Sequence, residues 1–435
     1  MSTTTAHPSH YQVEDHYTPL QMKRNFQLGV MNGVLYLFAA SLFDPTLVLV
    51  AFLSHLTDSA MLLGLVVPII QAGWSLPQLW ISGYVQHQPM KIKIYRQATW
   101  IRIISWGILA AAVNLIRDSQ ALLVVFFATF IISSLASGLG GLPFMEVVSK
   151  TVPPRRRGEM FAWRFALGGL LSVAGSFFVR WILNPNNPLK FPKNYGVLSI
   201  LFFVFASVAL LVYNRVEEKP DPEVLPQRKI GAQVRAGLRI FNEEKNFRLF
   251  VFYQISMIVS SVAVPFFAVF IQREFAGNTS FVGVYLITTM ISNLVVNILY
   301  GQVSKKMSNQ MVLKIATLCG LLMTIWVLLI VLLGHPLGLS PMIISFSLIP
   351  AFILNSLRQS GIGVSANSLL LSITPPVSRA VMLGFTQTLL GVVLILTGFA
   401  GIVVDVWGFA VLLLITLIAN LFGLFLVRSI KEGKE

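Results

Sequence analysis

The hydropathy pattern of the chain consists of long apolar runs separated by short polar segments. A helix needs about 20 apolar residues to cross ~30 Å of hydrocarbon. Twelve runs reach that length, and each is predicted to be a membrane-spanning helix. The predicted spans are residues 25–53, 61–86, 97–116, 120–149, 158–183, 194–214, 247–272, 280–303, 311–334, 341–372, 378–404 and 407–429. The pattern therefore predicts an all-α membrane protein.

A polar stretch at residues 215–246 separates the first six predicted spans from the last six. Its start, Glu217 to Pro222, carries charges and two prolines, which favour an extended, solvated segment. Apolar and basic residues then alternate at helical spacing over 232–241, which predicts an amphipathic helix on the membrane surface. The predicted organisation is a cytoplasmic tail at 1–24, a six-helix bundle at 25–214, a cytoplasmic linker at 215–246, a second bundle at 247–430 and a cytoplasmic tail at 431–435.

The two halves share a set of residues in one register. Ser134-Leu135, Gly141, Pro153-Pro154, Arg157 and Gly169 recur 222 positions later as Ser356-Leu357, Gly363, Pro375-Pro376, Arg379 and Gly391. Gly64 and Gly283 are related at an offset of 219. A set of matches in one register indicates a duplicated six-helix unit. The fold is therefore predicted to contain two pseudo-symmetric bundles.

Composition and charge support a membrane location. The chain is 55% hydrophobic and 11% charged, whereas a soluble chain carries about 25% charged residues. The net charge of +15 does not indicate nucleic acid, because the basic residues lie at the ends of apolar runs. With the N-terminus inside, 26 Lys and Arg residues face the cytoplasm, five face outside and Arg358 lies within a span. This asymmetry predicts a plasma (inner) membrane protein with both termini cytoplasmic.

Several other classes of site are not predicted. The single cysteine, Cys319, excludes an internal disulfide and a thiolate metal cluster. The six His residues form no close pair at helical spacing in an apolar run, so no metal site is expected. Neither a phosphate-binding Gly-rich loop nor a catalytic pair at helical spacing is present, so neither a cofactor nor an enzyme is predicted. Residues 1–22 are polar, so no signal peptide is expected.

Three segments carry a family resemblance. Residues 146–175, EVVSKTVPPRRRGEMFAWRFALGGLLSVAG, contain a P-x-x-R-G pattern followed by a Gly-rich helix. Residues 83–91 and 301–306 each place a glycine before basic residues. On these segments the chain resembles the major facilitator superfamily over nearly its full length, although His87 and Lys305 stand where that family has Asp. The resemblance implies its twelve-helix fold, alternating access and a monomer, but it does not imply a substrate. The expected partners are the lipid bilayer and a small-molecule substrate of unknown class.

Two ionisable side chains within spans are candidates for binding substrate or a coupling ion. Asp44 lies in the first span, and Arg358 lies near the middle of the tenth beside Asn355 and Gln359. A charge in hydrocarbon costs ~2.5 kcal/mol or more, and an arginine keeps its charge. The resemblance places both spans at the central cavity, where pairing of Asp44 with Arg358 would depend on substrate or a proton. Alternatively, Asp44-Pro45 caps a kink and Arg358 forms a structural ion pair.

A second group of residues is predicted to form an inner gate. Glu146 is close in sequence to basic residues of the next span, and a salt bridge there would break when the protein opens inward. The alternative is simple pairing at the membrane interface. The gate candidates are Glu146, Arg157, Arg164, Gly83, Lys91, Gly301 and Arg379.

Three functions remain open from the sequence. The first is a secondary active transporter that moves a small solute of unknown class, with protons among the candidate coupling ions. The second is a transporter-like protein that no longer transports, such as an assembly factor or a lipid-handling protein. A polar cavity would favour the first, and an apolar, lipid-facing groove would favour the second. The third, a membrane-embedded enzyme, would need a nucleophile within reach of a base.

Overall fold

The structure is a computed structural model that describes residues 17–86, 88–221, 230–275, 281–303, 307–373 and 379–431. These residues form helices joined by short loops, and they contain no strand. The first half comprises α1 (Pro19–Leu42), α2 (Val48–Ser54), α3 (Ala60–Gly64), α4 (Val66–Gln86), α5 (Lys91–Leu115), α6 (Ser119–Thr151), α7 (Pro154–Ile182) and α8 (Lys193–Tyr213). An amphipathic helix, α9 (Ile230–Glu243), follows in the linker.

The second half has the same pattern of long and broken helices. It comprises α10 (Lys245–Val259), α11 (Phe266–Glu274), α12 (Phe281–Val303), α13 (Asn309–Leu333), α14 (Pro341–Ser347), α15 (Ile349–Ile373), α16 (Arg379–Thr397), α17 (Ala400–Trp407) and α18 (Phe409–Ser429).

The helices account for twelve membrane spans in the described part of the chain. Nine segments are long and apolar enough to cross a membrane by themselves. The other three spans are α1 with α2, α10 with α11, and α12, whose apolar part is the shorter segment Phe281–Asn297. Breaks occur near Pro45 and Pro265, because proline lacks the N–H that a helix interior needs. The predicted all-α fold is confirmed.

Capping explains two of the span starts that differ from the sequence-based bounds. The predicted first span begins at residue 25, but α1 begins at Pro19 because Thr18 and Gln21 form a capping box. The predicted third span begins at residue 97, but α5 begins at Lys91. There the carboxylate of Glu218 accepts hydrogen bonds from the first backbone N–H groups of the helix.

Helix packing repeats between the halves. In the first bundle, α5 packs on α6 and α8, α1 packs on α7 and α8, and α4 packs on α6. In the second bundle, α13 packs on α15 and α18, α10 packs on α16 and α18, and α12 packs on α15. Each pairing recurs six spans later, which is the packing expected of a duplicated unit.

The bundles meet along two pseudo-equivalent seams, α3 and α4 against α16 and α17, and α7 against α12. The repeat-related glycines lie in these seams. A Cβ on Gly64 would lie 3.3 Å from the backbone nitrogen of Gly401, and a Cβ on Gly283 would overlap the Cα of Arg180. Small residues at these positions let the two backbones approach closely.

The two ends of the molecule differ in how the bundles pack. We call the end that carries Pro19, α9 and Ser429 the terminal face, and the opposite end the far face. Near the far face, one apolar core joins both bundles and includes Phe52 of the first and Phe267 of the second. Toward the terminal face, each bundle has a core of its own. Among the described residues, a shared apolar core therefore joins the bundles near the far face, whereas the cores toward the terminal face are separate.

A polar contact adds to the closure of the far face. The carboxylate of Asp405 on α17 accepts hydrogen bonds from the backbone N–H groups of Ala60 at 3.0 Å and Met61 at 3.2 Å. These are among the first N–H groups of α3, which lack partners within their own helix. A side chain of the second bundle thus caps a helix of the first.

Candidate functional site

A cavity with two connected lobes lies between the bundles. The N-lobe, of about 570 Å³, surrounds Arg102 and Arg164 and is lined mainly by the first bundle and α16. The C-lobe, of about 320 Å³, adjoins Arg358 and is lined mainly by α10 and α15. Gln71, Ile258 and Leu390 line both lobes. The volumes are those of small-molecule sites.

Arg358 is the charged group of the C-lobe and is only 3% exposed. Its Nη1 donates to the carbonyl of Met257 at 3.3 Å and to Ser260 Oγ at 3.4 Å, and its Nη2 donates to Asn355 Oδ1 at 3.3 Å. Its Nε is buried without a hydrogen-bond partner. No carboxylate in the described ranges lies within ion-pair distance of it. Gln359 lines the same lobe.

Asp44 lies beside the C-lobe, where it caps a helix and does not line the lobe. Its carboxylate accepts hydrogen bonds from the backbone N–H groups of Thr46 at 3.0 Å and Leu47 at 2.9 Å, so it caps α2 after the break at Pro45. Thr46 lines the C-lobe, but Asp44 is not among the lining residues. The structure therefore does not bring Asp44 and Arg358 into contact.

Arg102 on α5 is one of two arginines in the N-lobe and is 8% exposed. Its Nη2 donates to Tyr36 Oη at 2.7 Å, and its guanidinium carbon lies 4.7 Å from the ring centre of Trp106. An aromatic face stabilises a cation through its quadrupole. The Nε of Arg102 is buried without a hydrogen-bond partner.

Arg164 on α7, a predicted gate residue, lines the N-lobe. Its Nη1 donates to the carbonyl of Gly29 at 2.6 Å and to Asn32 Oδ1 at 3.0 Å. Its guanidinium carbon lies 4.9 Å from the ring centre of Phe144. These hydrogen bonds connect α7 to α1 at the cavity wall. The hydrogen-bond acceptors of Arg164, like that of Arg102, are neutral.

A buried charge cluster lies at the terminal face. We call Lys91, Lys150, Glu218 and Asp221 the terminal cluster. The Glu218 carboxylate lies 2.7 Å from Lys150 Nζ, and it also accepts the backbone N–H of Lys91 at 3.0 Å. Asp221 lies 2.5 Å from Lys91 Nζ and 2.9 Å from Lys150 Nζ. The cluster ties the start of the linker to α5 and α6.

The two lysines determine the ionisation of Asp221. Partial burial opposes the charged carboxylate, but hydrogen bonds from Lys91 and Lys150 outweigh that effect and hold the pKa of Asp221 below its usual value. Asp221 is therefore a carboxylate at neutral pH, and it balances part of the positive charge of the two ammonium groups.

The remaining gate candidates have separate surroundings. Glu146 is half-buried on α6 and forms no ion pair with a residue that the structure describes. Arg157 donates to the carbonyls of Ser149 at 2.5 Å and Val152 at 3.0 Å, so it caps the C-terminus of α6. Gly83, Gly301 and Arg379 lie in α4, α12 and α16, respectively, but the structure does not describe their surroundings. His87 and Lys305 lie outside the described residues.

Sequence reasoning missed the carboxylates of the terminal cluster and the role of Arg102. Glu218 and Asp221 stand in a charged, proline-rich segment that is typical of a solvated linker, and their lysine partners are 68 and 130 residues away in the chain. Arg102 stands in sequence with the basic residues that flank the third span. The sequence does carry a signal that Arg102 lies inside the span, because an apolar run without charge continues for more than ten residues after Arg102.

Comparisons with known proteins agree with this architecture. The sequence model of the Major Facilitator Superfamily matches residues 31–393, and the chain belongs to this family. Membership confirms the twelve-helix major facilitator fold that the resemblance implied. It makes the protein an integral, multi-pass membrane protein of a transporter family. A sequence search of curated proteins found no match.

Solved structures of transporters share the fold at low sequence identity. A point mutant of the nucleoside transporter NupG is 14% identical with a TM-score of 0.69, covering 94% of this chain and 98% of its own. The inward-open xylose transporter XylE from E. coli is 13% identical with a TM-score of 0.68, covering 95% and 97%. A POT family transporter in complex with 5-aminolevulinic acid is 14% identical with a TM-score of 0.66, covering 93% and 97%. At such identities the likeness concerns the fold alone.

Proposed function

We propose that the protein is a secondary active transporter that moves a small solute by alternating access between its two bundles. The observation that carries the proposal is the two-lobed cavity, which both bundles line and which contains arginine, glutamine, serine and tyrosine side chains. A cavity at the bundle interface that carries these polar groups suits solute binding. It does not suit a lipid-handling groove, which would be apolar and face the bilayer. The solutes named for similar structures, a nucleoside, xylose and 5-aminolevulinic acid, are all small.

The packing supports a state closed at the far face. One apolar core and the Asp405 contact join the bundles there, whereas the cores toward the terminal face are separate. The excess of Lys and Arg on the terminal side supports a cytoplasmic terminal face. We assign the structure to an inward-facing state in a plasma membrane, and the complete cycle includes a second state with the opposite packing.

The energy source in this proposal is an ion or solute gradient. Neither lobe is lined by a carboxylate in the described part of the chain. Asp44 is the acidic side chain beside the C-lobe, and protonation there would weaken its capping of α2. In a proton-coupled cycle, Asp44 would therefore be the candidate proton site.

Spin-label distances test alternating access without a known substrate. Cys319→Ser removes the native thiol, and one labelled pair, Lys93→Cys with Met311→Cys, spans the bundles at the terminal face. A second pair, Asn186→Cys with Leu337→Cys, spans them at the far face. All four positions are exposed. Distances would be measured in liposomes at several pH values and with a panel of metabolites.

Alternating access predicts opposite changes in the two pairs, with the terminal pair shortening as the far pair lengthens. A pair carried on one bundle, Lys93→Cys with Arg96→Cys on α5, serves as the control and should not change. If both pairs that span the bundles keep one distance under every condition, the protein is a fixed scaffold and the alternative of a transporter-like protein without transport is favoured.

A further inference from the structure

The cavity carries three arginine side chains and no compensating carboxylate. Arg102 and Arg164 line the N-lobe and Arg358 lines the C-lobe, whereas no Asp or Glu lines either lobe among the residues that the structure describes. The carboxylates of the ion pairs seen in the described chain lie elsewhere, in the terminal cluster and at exposed sites. The cavity is therefore cationic.

The arginines retain unused hydrogen-bonding capacity. A guanidinium has five N–H donors and cannot lose its charge in a protein. The Nε atoms of Arg102 and Arg358 are buried without partners, and the bonds that Arg358 makes are long, at 3.3–3.4 Å. Its acceptors are neutral oxygen atoms of Met257, Ser260 and Asn355. Neutral acceptors satisfy part of the hydrogen bonding but leave the charge unbalanced.

The rest of the cavity wall constrains the shape and polarity of a ligand. Aromatic rings of Tyr36, Trp74, Tyr95 and Phe144 line the N-lobe, and Leu390 lies where the lobes join. Such a wall favours an apolar or aromatic body. Trp74 is 44% exposed, which is unusual for this large side chain and leaves its ring open to the cavity.

We infer that the substrate is an organic anion with an apolar or aromatic body, and that Arg358 and the pair Arg102 and Arg164 bind its acidic groups from opposite bundles. This inference rests on the proposed transport function for its physiological meaning, although binding can be tested without transport. Guanidinium groups form paired, charge-assisted hydrogen bonds with carboxylate and phosphate. A neutral solute would leave the three charges unbalanced, and a cation would be repelled.

Substrate binding at this site is also linked to the conformational state of the protein. An anion that contacts arginines on both bundles draws the bundles together around it, because each charge is better balanced when both sides close. A ligand shifts a conformational equilibrium only through such a difference in affinity between the two states. The division of the arginines between bundles therefore gives the substrate a direct means of favouring closure.

Thermal unfolding of the purified protein in detergent tests the inference. The probes are benzoate, phthalate and phenylphosphonate, with neutral benzamide and cationic benzylammonium as isosteres and sodium chloride at matched ionic strength. A ligand that binds the folded state raises Tm, and the rise grows with the ratio of its concentration to Kd. We expect the organic anions to raise Tm, while benzamide, benzylammonium and chloride leave it unchanged.

Substitutions locate the binding. Arg358→Gln and Arg102→Gln should each weaken anion affinity by about 10- to 100-fold, the range for losing a hydrogen bond to a charged group. Arg358→Lys keeps the positive charge but loses the paired donors of the guanidinium group, so it should retain part of the affinity. This variant tests the site even if Arg358→Gln does not fold. Arg239→Gln on α9 is the matched control, because Arg239 is exposed and pairs with Glu243 of the same helix.

The possible results separate this inference from the proposed function. Equal stabilisation by benzamide or benzylammonium, an anion effect that survives all arginine substitutions, or no anion effect in protein that unfolds cooperatively would each overturn the inference. If an anion binds at these arginines but the spin-label pairs never change, the inference stands and the transport proposal fails. If the pairs change only with neutral solutes, the transport proposal stands and the inference fails.

Discussion

Lys150 Nζ lies 2.7 Å from a carboxylate oxygen of Glu218, and the Glu218 side chain is fully buried. Lys150 lies in the last turn of α6, whereas Glu218 follows α8, so the pair fixes the start of the linker to the first bundle. The same carboxylate caps α5. One side chain thus joins three elements at the terminal face.

Replacing Glu218 should destabilise the protein strongly. Glu218→Gln removes the fully buried one of the two carboxylates that Lys150 contacts and weakens the cap of α5, and losing one partner of a buried ion pair costs up to about 3–5 kcal/mol. We expect a lower Tm in detergent. Glu217→Gln is the control, because Glu217 pairs with Arg24 at an exposed site, where an ion pair contributes at most about 1 kcal/mol. Similar losses for both variants would contradict the role of Glu218.

Stability should depend on the ionisation of Asp221. Its pKa is lower in the folded protein than in the unfolded chain, so the unfolded chain binds protons first as pH falls. The stabilisation that ionised Asp221 provides is therefore complete above the pKa of the unfolded chain, about 4. It is lost as pH falls through the pKa of the folded protein. Tm of the wild type should fall more steeply below pH 4 than Tm of Asp221→Asn. Parallel pH profiles would show that Asp221 contributes nothing.

Variants of Asp44 distinguish capping from proton coupling. Asp44→Ala removes the cap of α2 and should destabilise the protein by about 1 kcal/mol, whereas Asp44→Asn keeps an acceptor and should have little effect. Tm measures this difference. If a proton-dependent activity is found and Asp44→Asn abolishes it without lowering Tm, Asp44 carries the coupling proton. If Asp44→Asn leaves that activity intact, the role of Asp44 is to cap the helix.

Asp405→Ala should weaken closure of the far face. It removes two hydrogen bonds between the bundles, which we expect to shift the equilibrium by about 1 kcal/mol, or about fivefold in population. The labelled pair at Asn186 and Leu337 should then show more of the longer distance. Asp118→Ala is the matched control, because Asp118 caps α6 on the same face within one bundle. An equal shift in the control would rule out a specific contact.

A methyl group at Gly283 should separate α7 from α12. A Cβ there would overlap the backbone of Arg180, so Gly283→Ala should lower Tm and lengthen the distance of the far-face pair. Gly158→Ala is the control, because no atom lies within 4 Å of a Cβ at that position, and alanine favours the helix by roughly 1 kcal/mol. Unchanged packing in Gly283→Ala would contradict the close approach.

The fold was accessible from sequence because lipid imposes a simple rule on hydropathy and on basic residues. The match at an offset of 219 even identified Gly64 and Gly283, which occupy equivalent seams. The site was only partly accessible. Arg358 stood out as a charge inside a span, but the neutral partners that leave it unbalanced come from α10, about 100 residues away. Contacts at such separations depend on packing, which no local pattern records.

The linker is attached to the protein at both ends. The terminal cluster holds Asp221 to the first bundle, and α9 packs on α16 and α10 of the second. Only residues 222–229 join these anchors, and a fully extended chain of that length reaches about 30 Å. As long as both anchors hold, the linker is a tether of fixed maximum length. In the proposed alternating access it would limit how far the two halves can separate on the terminal face.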